Sequence, residues 1–392
     1  MLVDMGDMLR HAQAHGYAVG AFDLVSLDFL QAIVAGAEQQ RAPVILSLAE
    51  SHYGYFDPEL LMPAVRLAAE RATVPVAIHL DHGSSIEAAV RGIRQGFNGV
   101  MVDASTQPLA ENIARTKAVV EMAHACGIPA EGELGYVAGV EGEDADRHPG
   151  EVVYTAPEEA ERYVRETGVD FLAVSIGTVH GRMRGEPRLD FERLAAIRSS
   201  VSVPLVIHGG TGLSDAQFRR LIDNGVAKIN YYTALADAAG AASREVEPIP
   251  GKGSYTDLVR GTQDAIRAEV ERCILLWGGA GQADAVIAAC RPWREVEHLI
   301  VYNTNTANPE ETAAMMAEGC RVLGAIPGVR QVVVGTSLRE DAPYRHFWAV
   351  RFAHPAVVES YRDHPDHQRF ANSLFRPLAA DRITIDFQHV LD

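Results

Sequence analysis

Three histidines of the chain stand in similar local sequences: His82 in HLDHG, His180 in GTVHG and His208 in IHGGTG. Each closes or closely follows an apolar run and is followed directly by a glycine. Neutral imidazole is the commonest metal ligand in proteins, and three imidazoles leave one position of a tetrahedral Zn²⁺ open for a substrate. One such histidine alone is more often a hydrogen-bonded core residue, but three in the same context favour a catalytic metal site.

Carboxylates accompany these histidines. Asp81 directly precedes the first of them, so it would lie beside a bound metal and within reach of a substrate proton. Asp103 and Glu133 stand at the ends of two other apolar runs, and Glu141 lies in the acid- and glycine-rich segment 138–150. A long loop beside an active site often serves as a lid, which is the role that we expect for this segment.

Eight short apolar runs alternate with amphipathic helical segments along the first part of the chain. This alternation predicts parallel βαβ units, and eight of them predict an α/β fold of the (β/α)₈ TIM-barrel type. Polar residues gather where the runs end, which is the face on which barrel enzymes build their active sites. The predicted strands are 17–23, 43–50, 74–82, 99–105, 129–135, 170–177, 204–210 and 226–232.

From residue 297 onward the pattern changes to strand, helix, strand, strand, helix and strand. This order predicts a small ferredoxin-like α+β domain. We therefore divide the chain into a barrel at 1–280, a linker at 281–295 and a second domain at 296–392.

Composition narrows the possible functions. The chain has 392 residues, and its 52 acids against 35 bases give a formal net charge of −17, which disfavours nucleic-acid or anionic-membrane partners. The four cysteines are scattered and predict no disulfide framework. The N-terminal segment lacks a signal-peptide pattern, and no apolar run is long enough for a membrane helix. We expect a cytoplasmic protein.

The barrel part resembles the class II, zinc-dependent ketose-bisphosphate aldolases. The motifs AIHLDH, VMVDAS, GELG, AVSIGTVHG, LVIHGGTG and KIN occur in order. The resemblance implies that Zn²⁺, or another divalent metal, binds His82, His180 and His208, with Glu133 and Asp103 near an alternative metal position. It also implies that Asp81 is the acid/base on the C4 hydroxyl of a sugar phosphate. Glu141 would move the proton at the carbon next to the carbonyl.

A phosphate site is predicted beside these residues. The GGTG segment at the seventh strand and the residues after the eighth strand bracket the place where many barrels bind phosphate through backbone N–H groups and hydroxyls. The resemblance implies a cradle for the ketone-side phosphate, with Na⁺ or K⁺ nearby. Its residues would be Gly181, Gly209, Gly210, Thr211, Asn230 and Thr233.

Three positions depart from the pattern of this family. Asp23 replaces an asparagine that contacts substrate, and Tyr231 and Tyr232 replace small or polar residues. The segment 254–256 reads Ser-Tyr-Thr where the family has Asp-Pro-Arg, whose arginine grips the distal phosphate. Phosphate without a cationic partner binds poorly, so we expect a different aldehyde, one without a phosphate. The alternative is that Arg260 substitutes for the missing arginine.

Residues 297–392 resemble the stress-responsive dimeric α/β-barrel domains, through EHLIVYN, YRHFWAVRF, ESYRDHPDHQRF and ITIDF. Such domains pair through their sheets, which implies a homodimer or homotetramer. In a polyketide-cyclising relative, the positions of Tyr361 and His367 serve as acid/base residues, with His298 nearby. A dimerisation module is favoured here over a second active site. Two alternatives stay open: a bifunctional enzyme, and a non-catalytic protein that binds sugar phosphates on an aldolase scaffold.

Overall fold

A computed structural model shows the fold of the chain. It describes residues 1–144, 153–183, 185, 187–246 and 254–389, and the side chains of 140–144 and 246 lie outside that description. The chain forms two compact units, whose main division falls between Pro292 and Trp293. Each unit is described by itself.

Eight parallel strands of the first unit close into a barrel, which confirms the predicted TIM-type fold. The strands are β1 (Val19–Asp23), β2 (Val44–Ala49), β3 (Val76–Gly83), β4 (Gly99–Val102), β5 (Ala130–Leu134), β7 (Phe171–Val174), β9 (Leu205–Ile207) and β10 (Val226–Tyr231). They pair in the closed order β1-β10-β9-β7-β5-β4-β3-β2. Two further strands, β6 (Gly139–Asp144) and β8 (His180–Arg182), form a separate parallel pair.

Local sequence signals mark the start of three helices of this unit. Ser214 and Ser254 each start a helix with a capping box, and Asp57 caps another helix that has proline at its first position. A 3₁₀ turn at Glu50–Gly54 follows β2. The helices are α1 (Met5–His15), α2 (Leu27–Gln39), α3 (Pro58–Arg71), α4 (Ile86–Gln95), α5 (Leu109–Ala125), α6 (Pro157–Thr167), α7 (Phe191–Ser200), α8 (Asp215–Asp223), α9 (Thr233–Val246), α10 (Tyr255–Leu276) and α11 (Ala283–Ala289).

Apolar side chains fill the part of the barrel interior that lies toward the start of the strands. Val19, Ile45 and Phe171 belong to one buried cluster with Met8 of α1 and Val286 of α11. Residues 283–289, within the segment assigned as a linker, therefore form a helix that belongs to the core of the first unit. This close-packed apolar layer excludes water. The polar residues farther along the strands lie directly above it.

The second unit has the predicted strand and helix order. Its strands are β11 (Val296–Thr304), β12 (Val329–Thr336), β13 (His346–Phe352) and β14 (Ala379–Gln388), and they form an antiparallel sheet in the order β12-β13-β11-β14. Pro365 breaks the second helical segment, as its missing N–H requires. The helices are α12 (Pro309–Leu323), α13 (Val357–Asp363), α14 (Pro365–Phe370) and α15 (Arg376–Leu378), with a π-helical turn at Ala371–Phe375.

Across the residues that the structure describes, no helix is both long and apolar enough to span a lipid bilayer.

Candidate functional site

The structure brings His82, His180 and His208 together at the mouth of the barrel. One nitrogen of each ring lies within 4.8 Å of the others. His82 Nε2 and His208 Nδ1 are 3.0 Å apart, close to the roughly 3.3 Å that tetrahedral zinc ligands with zinc–nitrogen bonds of about 2.0–2.1 Å would show. The chemistry and spacing of these donors therefore fit a divalent metal ion.

The second nitrogen of each ring is held by a partner that fixes the ring orientation. His82 Nδ1 lies 2.8 Å from Asp103 Oδ2, and His180 Nδ1 lies 3.1 Å from the carbonyl oxygen of Val137. His208 Nε2 lies 3.0 Å from Glu131 Oε1. Metal-binding histidines commonly have such an outer partner, which sets the tautomer and aims the free lone pair. All three rings are therefore preorganised toward one point.

Asp81 and His82 are neighbours in sequence, yet both side chains face this point. Strand alternation would place them on opposite faces of β3. His82 instead has φ of 46°, in the left-handed region that a residue with a side chain rarely adopts, and the pairing of β3 with β4 shifts register between Leu80 and Gly83. His82 Nε2 lies 3.9 Å from Asp81 Oδ2 as a result. The local strain thus places a carboxylate beside the three imidazoles.

Asp81 is buried and is held by one neighbour across the barrel. The Asn230 side-chain amide donates to Asp81 Oδ1 over 2.9 Å. Burial by itself would raise the pKa of Asp81, but the imidazoles of His82 and His208 outweigh it and hold the pKa at about 2. Asp81 is therefore ionised at neutral pH and can accept a proton. Asn230 was predicted for the phosphate cradle, and its amide contacts Asp81.

Two residues under the site, Glu131 and Lys228, were not predicted as functional. The Lys228 ammonium donates to both oxygens of Glu131, over 3.1 and 2.8 Å, and both residues are fully buried. Glu131 in turn holds His208, so a buried ion pair supports one of the three converging imidazoles. Lys228 was interpreted as a structural residue, and this contact supports that interpretation. The two acids of AEGEL, spaced two apart in a buried strand, were the available signal for Glu131.

Acids of the alternative metal position also lie at the mouth. Atoms of His82, Asp103 and Glu133 approach within 4.8 Å of one another. Asp103 is engaged, because the N–H and the hydroxyl of Ser105 both donate to its Oδ1. Burial, with the Asp103 carboxylate nearby, raises the pKa of Glu133 to about 8. Glu133 is therefore protonated at neutral pH in the metal-free protein, and a protonated carboxyl group is a weaker metal ligand than a carboxylate.

Glycines allow the backbone to close tightly around His180. Gly209 has φ of 69°, and a Cβ there would come 2.1 Å from the Val179 carbonyl oxygen. A Cβ on Gly139 would come 2.2 Å from the His180 carbonyl oxygen. The segment that carries His180 and Gly181 is thus clamped between two backbones, and any larger residue at these glycines would displace it.

Two residues predicted for the phosphate cradle, Thr211 and Thr233, lie at the start of α9. The Thr211 hydroxyl accepts a hydrogen bond from the Ala234 N–H over 3.2 Å, and Thr233 is the buried first residue of the helix. Gly210 packs against the backbone of β10. Loop N–H groups and the positive end of a helix dipole are suited to an anion.

Three further predicted positions have different outcomes. The side chain of Glu141 lies outside the described residues, although its backbone belongs to β6. Asp23 ends β1 and is buried. Tyr231 does not face the mouth: its hydroxyl donates to Glu269 of α10 over 2.8 Å. Tyr232, one residue later, instead contacts His52 in the turn that follows β2.

The second unit brings its predicted residues together as well. The rings of Tyr361 and His367 are 4.4 Å apart, and those of His298 and Tyr361 are 6.0 Å apart. Asp386, which was not predicted, lies 2.6 Å from His298 Nδ1. The cavity beside Tyr361 and His367 has a volume of about 20 Å³, enough for one water molecule and too small for a metabolite.

Replacing Glu131 by glutamine should weaken metal binding. The amide is a poorer acceptor for His208 Nε2, so we expect the Zn²⁺ affinity to fall about 10- to 100-fold in calorimetric titration of the metal-free protein. Glu111→Gln, on the exposed face of α5, is the control. Because Glu131→Gln leaves the Lys228 ammonium buried without its carboxylate, the double variant with Lys228→Met should recover stability but not affinity. Wild-type affinity in Glu131→Gln would contradict this role.

Metal affinity should rise with pH. Burial would lower the pKa of His82, but the Asp81 carboxylate and the Asp103 hydrogen bond raise it well above its usual value, so the metal-free ring is protonated at neutral pH. A metal must displace that proton, and the affinity should therefore increase about tenfold per pH unit between pH 6 and 7. Titrations in buffers of different ionisation enthalpy count the released protons. Affinity independent of pH would contradict a protonated His82.

Comparison with known proteins agrees with this geometry. The family model described as "Fructose-bisphosphate aldolase class-II" matches residues 3–282, and the model described as "Stress responsive A/B Barrel Domain" matches residues 296–389. A fructose-bisphosphate aldolase from Geobacillus stearothermophilus is 42% identical over 287 residues, which are 72% of this chain and 99% of that protein. A probable fructose-bisphosphate aldolase from Bacillus subtilis is 44% identical over 247 residues, 62% of this chain and 86% of that protein.

Solved structures give the same result. The YdjI aldolase from Escherichia coli K12 superposes with a TM-score of 0.64 at 35% identity, over 72% of this chain and 100% of that one. A putative fructose-1,6-bisphosphate aldolase from Coccidioides immitis superposes with a TM-score of 0.65 at 32% identity, over 72% of this chain and 98% of that one. The chain therefore belongs to the class II fructose-bisphosphate aldolase family of carbon–carbon lyases and carries a C-terminal stress-responsive α/β-barrel domain.

Proposed function

We propose that this enzyme makes and breaks the carbon–carbon bond between a dihydroxyacetone-phosphate-like ketone and an aldehyde, with a divalent metal ion, Zn²⁺, as cofactor. The observation that carries the proposal is the convergence of His82, His180 and His208 beside the ionised Asp81. Three oriented imidazoles would hold the ion and would leave a position for substrate. The adjacent carboxylate supplies the base that aldol cleavage requires.

Asp81 acts on the hydroxyl of the carbon that becomes the aldehyde. Its Oδ1 is held by Asn230 and its Oδ2 faces the imidazoles, so the carboxylate is positioned to take the hydroxyl proton in cleavage and to return it in condensation. A bound Zn²⁺ supplies Lewis-acid stabilisation of the charge that develops on the ketone half. Glu141 is proposed to move the proton at the carbon next to the ketone carbonyl.

The ketone half is proposed to carry a phosphate. The loop with Gly209, Gly210 and Thr211, the neighbouring Gly181 and the start of α9 at Thr233 present small residues, hydroxyls and a helix N-terminus on one side of the site. This combination suits a phosphate group. Two of the relatives compared above, from Geobacillus stearothermophilus and Bacillus subtilis, are named fructose-bisphosphate aldolase or probable fructose-bisphosphate aldolase, which agrees with a phosphorylated ketose.

The aldehyde half is proposed to differ from glyceraldehyde 3-phosphate. Residues 254–256, where the family has Asp-Pro-Arg, start α10: Ser254 is the N-cap, with its hydroxyl accepting from the Asp257 N–H, and Tyr255 is 76% exposed. The segment thus builds a helix start, with no guanidinium on it. Asp23, buried at the end of β1, is an unsuitable neighbour for a second phosphate.

The second unit is proposed to pair two copies of the chain. Ile383, Ile385 and Phe387 of β14 lie on one face of its sheet and are 44%, 46% and 48% exposed. Across the sheet, Ile385 pairs with Leu299 and Val301 pairs with Ile383. A row of exposed apolar side chains on a sheet is a surface that a partner covers. The 20 Å³ cavity beside Tyr361 favours this role over a second active site.

Asp81→Asn should abolish turnover and spare the metal. Removal of the base should lower kcat about 10²- to 10⁴-fold for release of dihydroxyacetone phosphate from fructose 1-phosphate or fructose 1,6-bisphosphate. Asp284→Asn, an exposed acid of α11, is the control. Chelation should abolish wild-type activity and Zn²⁺ should restore it. Undiminished cleavage by Asp81→Asn would refute the assigned base, and substrate binding without turnover by the wild type would favour the non-catalytic alternative.

Ile385→Lys should halve the mass of the particle in solution. A charge in the centre of the apolar face opposes its burial, so light scattering coupled to gel filtration should show a particle of half the wild-type mass. Leu338→Lys, on a fully exposed loop residue of the same unit, is the control. A monomeric wild type, or an unchanged mass in Ile385→Lys, would contradict pairing through this sheet.

A further inference from the structure

One sector of the barrel mouth contains none of the three imidazoles. It lies over β10, β1 and β2, which are consecutive in the barrel. Tyr232 directly follows β10, Asp23 ends β1, and His52 lies in the 3₁₀ turn that follows β2. The sequence signals had singled out Asp23 and Tyr232 but not His52.

His52 and Tyr232 contact each other across this sector. Their ring centroids are 4.3 Å apart at an interplanar angle of 44°. Phe29 packs at 6.2 Å from Tyr232, and Tyr55 at 5.9 Å from His52. Because β1 lies between the strands that lead to the two rings, their contact passes over the end of β1. The two rings, called the aromatic pair below, therefore lie over the end of the strand that Asp23 closes.

The aromatic pair adjoins Asp81, the proposed base. Asp81 lies between His82 on one side and Asn230 on the other, and Asn230 is two residues before Tyr232 on the same chain. On the other flank, Ala49 of β2 is in register with Asp81, and His52 follows three residues later. His52 is 3% exposed and Tyr232 is 7% exposed, similar to Asp81 at 2%, so they are enclosed to the same degree as the reacting group.

Geometry assigns this sector to the aldehyde half of the substrate. On the proposed function, the ketone half occupies the imidazoles and the cradle at the start of α9, and Asp81 contacts the hydroxyl of the next carbon. The substrate atoms beyond that carbon must extend away from the three imidazoles. Asp81 and Asn230 contact each other, and the sector that adjoins them is the one over β1 and β2. The aldehyde half would then contact the imidazole of His52, the phenol of Tyr232 and the carboxyl group of Asp23.

We propose that His52 and Tyr232 determine the aldehyde specificity of this enzyme and that they select an uncharged aldehyde. The rings offer apolar faces together with groups that can hydrogen-bond to hydroxyls. These features suit a neutral polyhydroxy aldehyde or an aromatic aldehyde. A phosphate dianion would instead meet the Asp23 carboxyl. This inference rests on the proposed function, because it presupposes aldol chemistry at Asp81.

Two reactions of the intact enzyme separate this inference from the function on which it rests. Proton exchange of dihydroxyacetone phosphate in D₂O, followed by NMR, reports on the ketone half alone. Condensation of dihydroxyacetone phosphate with D-glyceraldehyde or with glyceraldehyde 3-phosphate reports on both halves. The wild type should exchange the ketone proton and should prefer D-glyceraldehyde about tenfold or more in kcat/KM.

His52→Ala and Tyr232→Ala should lower kcat/KM for D-glyceraldehyde about 10- to 100-fold and leave proton exchange within twofold of the wild type. Leu275→Ala, an exposed residue near the other end of α10, is the control. Retained exchange also shows that a variant is folded, and His52→Asn and Tyr232→Phe replace any variant that is not. A wild-type preference for glyceraldehyde 3-phosphate, or variants that lose exchange and condensation equally, would overturn the inference. Absence of exchange in the wild type would overturn the proposed function and the inference with it.

Discussion

A fully buried ion pair between Glu131 and Lys228 supports the site from inside the barrel. Glu131 accepts from the ammonium and also holds His208, so the charge that orients the His208 ring is itself neutralised by a residue of β10. Breaking such a pair by removing one partner costs about 3–5 kcal/mol, because the other charge is left buried. The same contacts therefore stabilise the barrel and fix the ring that faces the substrate.

This support acts together with a strained backbone at the mouth. The left-handed conformation of His82 turns the ring toward the other imidazoles and keeps Asp81 beside it. Asn230 reaches from β10 to hold Asp81, and β10 also carries Lys228. One strand thus positions Asp81, the proposed base, and, through Glu131, the imidazole of His208. On the proposed function, binding of the ion and the proton transfer would depend on the same few contacts.

Much of this was predictable from the sequence, because periodic patterns and repeated local motifs report on strands. The eight barrel strands, the order of elements in the second unit and the convergence of three histidines all follow from such patterns. Contacts between strands that are distant in sequence do not follow from such patterns. Glu131 and Lys228 are separated by 97 residues, and each alone resembles an ordinary strand residue. The directions in which the Tyr231 and Tyr232 side chains point depend on where β10 ends. The alternation of residue types along the sequence does not determine that end point.

Anomalous diffraction from zinc-loaded crystals tests most directly whether one ion is held by the three histidines beside Asp81. The geometry predicts a single strong peak about 2.0–2.1 Å from His82 Nε2, His180 Nε2 and His208 Nδ1, with an open position toward Asp81. A peak held by Asp103 and Glu133 instead, or no peak within reach of the three rings, would contradict the proposed metal centre.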